Sequence, residues 1–100
     1  MTQDEKSAIL VVDDDPSVLE STSRLLSAFG YLVLPYGNAT DAVMKLQEEN
    51  NVRVVLTDIM MPEVTGFQFL EKIRTFNSEL PVIMMTAYAE MEMTIDAIRK

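Results

Sequence analysis

Asp13, Asp14 and Asp15 follow directly on the apolar run 8–12 (AILVV), Asp58 on the run 52–57 (VRVVLT), and Thr86 on the run 82–85 (VIMM). If these runs are strands of one parallel sheet, the polar residues share one edge, and ligand sites of open α/β sheets lie at the carboxyl ends of the strands. With the first and third strands as neighbours, two or three carboxylates meet in one pocket. Like charges ~4 Å apart repel by about 4 kcal/mol at an effective dielectric near 20, more than a small domain accepts without a cation. Oxygen-only ligands select a hard ion, and a site of two or three protein ligands completed by water suits Mg²⁺ better than the fuller cage of Ca²⁺. Each residue also has a plainer use: Asp15 as a helix cap, Asp13 and Asp14 as a solvated strand end, Asp58 in a turn, Thr86 bonded to its own backbone. Their convergence on one edge favours a shared site.

The elements that must position these groups can be read from the hydrophobic pattern. Residues 8–12 are apolar throughout and bounded by charge, as in a strand buried on both faces. Asp15 caps the next helix and Pro16 fits its first turn; Val18, Leu25, Leu26 and Phe29 make an apolar stripe, and Gly30 supplies a left-handed stop. A second strand is expected over 31–34, ended by Pro35 and Gly37. Asn38 then caps a helix with Ala39, Ala42, Val43 and Leu46 on one face. The third strand spans 52–57, and after the loop 58–66 a helix from about Phe67 turns Phe69, Ile73 and Phe76 inward. Pro81 opens a fourth strand over 82–85, and Met91, Ile95 and Ile98 lie on one face of a last helix. Strands alternating with helices imply an α/β, doubly wound parallel sheet with right-handed crossovers.

Composition narrows the chemistry further. The 100 residues, 48% hydrophobic and 24% charged, suit one domain. With no cysteine and no histidine, serine–histidine, cysteine–histidine and zinc chemistry are excluded within the chain. The glycines stand singly at Gly30, Gly37 and Gly66, so no glycine-rich phosphate loop is present. A net charge of −8 repels phosphate backbones and favours cations and basic partner surfaces, which argues against direct nucleic-acid binding by this segment. No apolar run approaches the ~20 residues that cross a bilayer, and the polar first eight residues lack a secretory h-region, so a cytoplasmic protein is expected. The eight methionines serve as packing residues.

Three segments carry a family resemblance: VVDDDPSV, VLTDIMMPEVTG and PVIMMTAYA, in that order and each at a strand end. They resemble the signature segments of receiver domains of two-component response regulators, in wording closest to receivers of transcription activators. The resemblance spans residues 9–100 and implies the flavodoxin-like fold with strand order 2-1-3-4-5. It implies a signalling domain, not a free-standing enzyme, in which Asp58 accepts a phosphoryl group from a sensor histidine kinase. Asp14 would ligate Mg²⁺ directly, Asp13 through water, and Met60 by its backbone carbonyl; Thr86 would bind the phosphoryl oxygens and turn inward as the switch.

The sequence also departs from that family pattern. The fifth strand, with its lysine and aromatic switch residue, and the fifth helix are missing; Lys100 ends the fourth helix and Tyr88 is not placed to substitute. The expectation is a single receiver domain, 1–100, incomplete at its C-terminal side, whose uncovered fourth strand favours a homodimer by edge pairing or segment exchange. Two alternatives stand beside it. A pseudo-receiver would be an interaction module that is not phosphorylated. A haloacid-dehalogenase-like phosphatase would use Asp13 and Asp15, but it needs downstream lysine and acidic segments beyond this length.

Overall fold

The computed structural model describes residues 7–85. Thr86, Tyr88, Lys100 and the helix expected around Met91, Ile95 and Ile98 lie outside the described residues. The described elements alternate: β1 (Ala8–Val12), α1 (Pro16–Ala28), β2 (Leu32–Tyr36), α2 (Ala39–Glu48), β3 (Val52–Asp58), α3 (Gly66–Arg74) and β4 (Val82–Met85). All pairings are parallel, in the order β2-β1-β3-β4. This is the expected doubly wound α/β sheet, in the first four positions of the flavodoxin-like order.

β1 is central, and all five of its residues are buried, which accounts for its unbroken apolar run. One face, with Ala8, Leu10, Val12, Val55 and Val82, packs against Ala39, Ala42 and Leu46 of α2 and Phe69 and Ile73 of α3. α1 lies on the other face, where Leu19 and Ser23 line a crevice beside Pro35.

The structure corrects three expectations. β2 runs on through Pro35 to Tyr36. Among the described residues it is an edge strand, and because Tyr36 accepts a hydrogen bond from Asp13 N–H, the neighbouring Pro35 faces away from β1, where its missing N–H breaks no ladder bond. The inward side of α1 is Leu19, Thr22, Ser23 and Leu26, all half-buried, whereas Val18, Leu25 and Phe29 are exposed. Both sets have helical spacing, so periodicity alone could not choose between them. Phe76 lies beyond the end of α3 and is exposed, while Phe69 and Ile73 are fully buried.

The helix ends hold as expected. Asp15 accepts hydrogen bonds from Ser17 N–H and Val18 N–H at the start of α1. At its end Gly30, with φ +95°, donates to Ser27 O while Tyr31 N–H reaches Leu26 O, the paired bonds of a Schellman stop.

Candidate phosphoacceptor and metal site

Register brings the acids together. Val12 of β1 is paired with Thr57 of β3, so the residues that follow them, Asp13 and Asp58, emerge side by side at the carboxyl edge. Asp14 is next along the chain. One carboxylate oxygen from each of Asp13, Asp14 and Asp58 lies within 4.8 Å of the others. Asp13 is buried, Asp58 half-buried and Asp14 exposed, so the cluster has a closed floor and an open mouth.

The electrostatics match the crowding. Burial pushes the Asp13 carboxyl above its ordinary value of 3.8; a hydrogen bond from Asp15 N–H to its Oδ1, at 2.9 Å, opposes the rise, and the negative charges of Asp58, Asp14 and Asp15 add to it. Among the described residues no lysine or arginine pairs with these acids, the ion pairs being Arg24–Glu20 and Lys45–Glu49 on helix surfaces. A cation would relieve this repulsion.

The loop after Asp58 is tied back to the sheet. Gly66 N–H donates to Ile59 O at 2.7 Å, and Gly66 lies so close to the Asp58 carbonyl that a Cβ there would stand 2.6 Å from it. Thr65 caps α3 and forms a reciprocal capping box with Gln68. Glu63 sits at the top of the loop with φ +73°. Met60 is in this loop with an exposed side chain.

Of the site residues expected from sequence, Asp13, Asp14 and Asp58 are thus gathered in one place, Met60 lies two residues beyond Asp58, and Thr86 is outside the described residues. Sequence reasoning passed over two neighbours. The T-x-x-Q spacing of Thr65 and Gln68 was legible as a capping box and moves the start of α3 from about Phe67 to Gly66. Thr57, fully buried with its hydroxyl on the Asp58 carbonyl, carried no signal beyond its place in a strand.

Residues 9–100 match the family model of the response regulator receiver domain. The chain belongs to that family. Receiver-domain relatives include the transcriptional regulatory protein ZraR of Klebsiella oxytoca, 39% identical over 95 residues, which cover 95% of this chain and 21% of that protein. The chain therefore spans about a fifth of that relative's length, and the kinship with receivers of transcriptional regulators is as expected. A receiver domain protein from Clostridium thermocellum superposes with a TM-score of 0.85 at 30% identity, over 93% of this chain and 75% of that one. The response regulator TrrA of Thermotoga maritima, solved in complex with Mg(2+)-BeF, gives 0.80 at 30% identity over 91% of this chain and 80% of that one. Among the described residues of this receiver, no helix is long and apolar enough to cross a membrane.

Proposed function

We propose that this receiver domain takes a phosphoryl group on Asp58 from the phosphohistidine of a sensor histidine kinase, in a Mg²⁺-dependent reaction in the cytoplasm, and switches conformation to control an output. The observation that carries the reading is the meeting of Asp13, Asp14 and Asp58 within 4.8 Å at the carboxyl edge of the sheet. An all-oxygen, anionic donor set with one exposed member fits a hard, partly hydrated ion. In this reading Asp14 and Asp58 ligate the metal directly, Asp13 acts through water, and Met60 contributes its backbone carbonyl. The Mg(2+)-BeF complex of the Thermotoga maritima relative supports that choice of ion. When bound, Mg²⁺ would neutralise charge on the incoming phosphoryl oxygens.

The chain's own part is nucleophile and positioning. A carboxylate oxygen of Asp58 attacks phosphorus, the P–N bond to the kinase imidazole breaks, and the imidazole departs with the electron pair and takes up a proton, leaving an acyl phosphate. Thr86 would bind the phosphoryl oxygens and turn inward. The residues 1–100 act as one domain with no nucleic-acid contact of their own, and a second copy would pair with the side of β4 to which no strand is bonded among the described residues.

Intact-mass measurement after incubation with acetyl phosphate and Mg²⁺ tests the reading. One added phosphoryl group is expected on the parent and none on Asp58→Asn. Equal labelling of both would sink the assignment, and a parent that binds Mg²⁺ yet takes no label is an unphosphorylated interaction module instead.

A further inference from the structure

Apart from Asp13, Thr57 is the buried polar side chain of the described sheet, and it is fully enclosed. Its register partners are apolar: Val12 on β1, completely buried, and Met84 on β4, nearly so. Valine would fill the same β-branched shape in this layer, and a buried hydroxyl is costly unless hydrogen-bonded. The hydroxyl is bonded, and its acceptor is specific: Thr57 Oγ1 donates to the backbone carbonyl of Asp58 at 3.1 Å. The same oxygen is the atom Gly66 is pressed against, and the next carbonyl, that of Ile59, accepts from Gly66 N–H at 2.7 Å. Two successive carbonyls after the acceptor side chain are therefore held.

We propose that Thr57 is a positioning residue for the phosphoacceptor, its buried hydroxyl and the backbone of Gly66 together fixing the Asp58–Ile59 peptide plane. The plane's orientation sets two directions at once. On its N-terminal side it fixes the Asp58 backbone from which the carboxylate projects toward Asp13 and Asp14. On its C-terminal side it aims the chain toward Met60, whose carbonyl is the remaining metal ligand of the proposed function on which this inference rests. Thr57 touches neither metal nor phosphoryl group; it acts through the peptide. Without the hydroxyl the plane is held from the Gly66 side alone, and the loop samples more orientations in which Asp58 and the Met60 carbonyl do not face one point. Catalysis by positioning is sensitive to small misplacements of this kind.

The test compares Thr57→Val, which keeps the shape and removes the donor, with Thr57→Ser, which keeps the donor and removes the methyl. Mg²⁺ affinity is read from amide shifts in an NMR titration, and the labelling rate from intact mass with acetyl phosphate at saturating Mg²⁺. Thr57→Val should bind Mg²⁺ about tenfold more weakly, at the low end of what is lost when a group orienting a metal ligand is removed. Thr57→Ser should keep the parent affinity even if it melts lower, which a purely structural role would not allow. A Val variant with parent affinity and rate, or a Ser variant that falls as far as Val, overturns the inference. If Thr57→Val does not fold, Thr57→Ala against Thr57→Ser makes the same comparison of hydroxyl absent and present. A parent that takes no label overturns the phosphoacceptor reading itself, and this inference with it; a labelled parent alongside an unaltered Val variant sinks the inference alone.

Discussion

Gly66 is packed directly onto the peptide of Asp58: a Cβ added at Gly66 would stand 2.6 Å from the Asp58 carbonyl oxygen and 3.1 Å from the Ile59 Cα. Both are backbone atoms of a strand end and its loop, so neither can swing aside as a side chain would. The N-terminus of α3 is thereby docked onto the end of β3 at Asp58, and only a residue without a side chain fits there without a shift of backbone.

Gly66→Ala should accordingly cost about 1–3 kcal/mol, the usual penalty of overpacking a closed contact. Gly37→Ala is the matched control, because nothing lies within 4 Å of a Cβ there and its φ is not left-handed. That change should be neutral or stabilise by up to about 1 kcal/mol through the unfolded chain. Urea unfolding of both variants measures the contrast, and equal losses would mean that the close approach is not what holds the loop.

Much of this architecture was legible in the sequence because it follows from local chemistry. The AILVV run, the Asp15 and Asn38 caps and the Gly30 stop each express a rule acting within a few residues. The acidic edge was legible because strand ends and parallel order are enough to bring Asp13 beside Asp58. What failed to show was what depends on the tertiary partner. Val18, Leu25 and Phe29 form as regular a stripe as Leu19, Thr22, Ser23 and Leu26, and only the sheet decides which faces inward. Pro35 was read as a strand breaker, and the edge position of β2 makes it harmless. Thr57 is indistinguishable from any other strand threonine until its hydroxyl is seen to meet the Asp58 carbonyl.

Glu63 offers a test of backbone strain. It has φ +73°, and Val64 N–H donates to Pro62 O across it at 2.7 Å, closing a three-residue turn. A positive-φ turn of this kind strains any residue that carries a Cβ, and glycine adopts positive φ without that penalty. Glu63→Gly should therefore be neutral or raise stability by up to about 1 kcal/mol, the relieved strain being partly offset by the freer unfolded chain. Glu63→Val should lower it, since β-branched residues resist positive φ. Thermal melts giving the reverse order would exclude the φ angle as the controlling factor.

The acidic cluster predicts a pH dependence of definite sign. The folded-state pKa of Asp13 is raised above 3.8, so the folded protein holds that proton more tightly than the unfolded chain does. Its contribution is fully present below pH 3.8 and is lost as pH rises through the higher folded-state value. In metal-free buffer Asp13→Asn should remove this loss, leaving a flatter stability profile across that window. Millimolar Mg²⁺ should raise the parent's melting temperature at neutral pH, because it binds only the folded cluster and offsets the repulsion. Asp14→Ala should show no such rise. A parent melt indifferent to Mg²⁺, with Asp14→Ala behaving identically, would remove the metal from the site.

The last prediction concerns β4. It pairs with β3 on one side, from Val55↔Val82 to Asp58↔Met85, and no strand pairs with its other side among the described residues. Edge strands are usually guarded by charge, by proline or by a bulge, and β4 (VIMM) has none of these after Pro81. Ile83 adds an exposed apolar side chain on the strand itself, 46% accessible. Strand addition across such an edge satisfies backbone groups in pairs and needs no special side-chain chemistry, so a second copy of this 100-residue chain is a sufficient partner. Opposing it is a charge of −8 on each copy, whose repulsion is screened by salt. Size exclusion with light scattering should therefore show a dimer that strengthens from low to moderate ionic strength, and Ile83→Lys, which puts a guarding charge on the edge, should return it to monomer. A sharp monomer peak at all salt concentrations, with a cooperative melt at high temperature, would show that the edge is closed by other means.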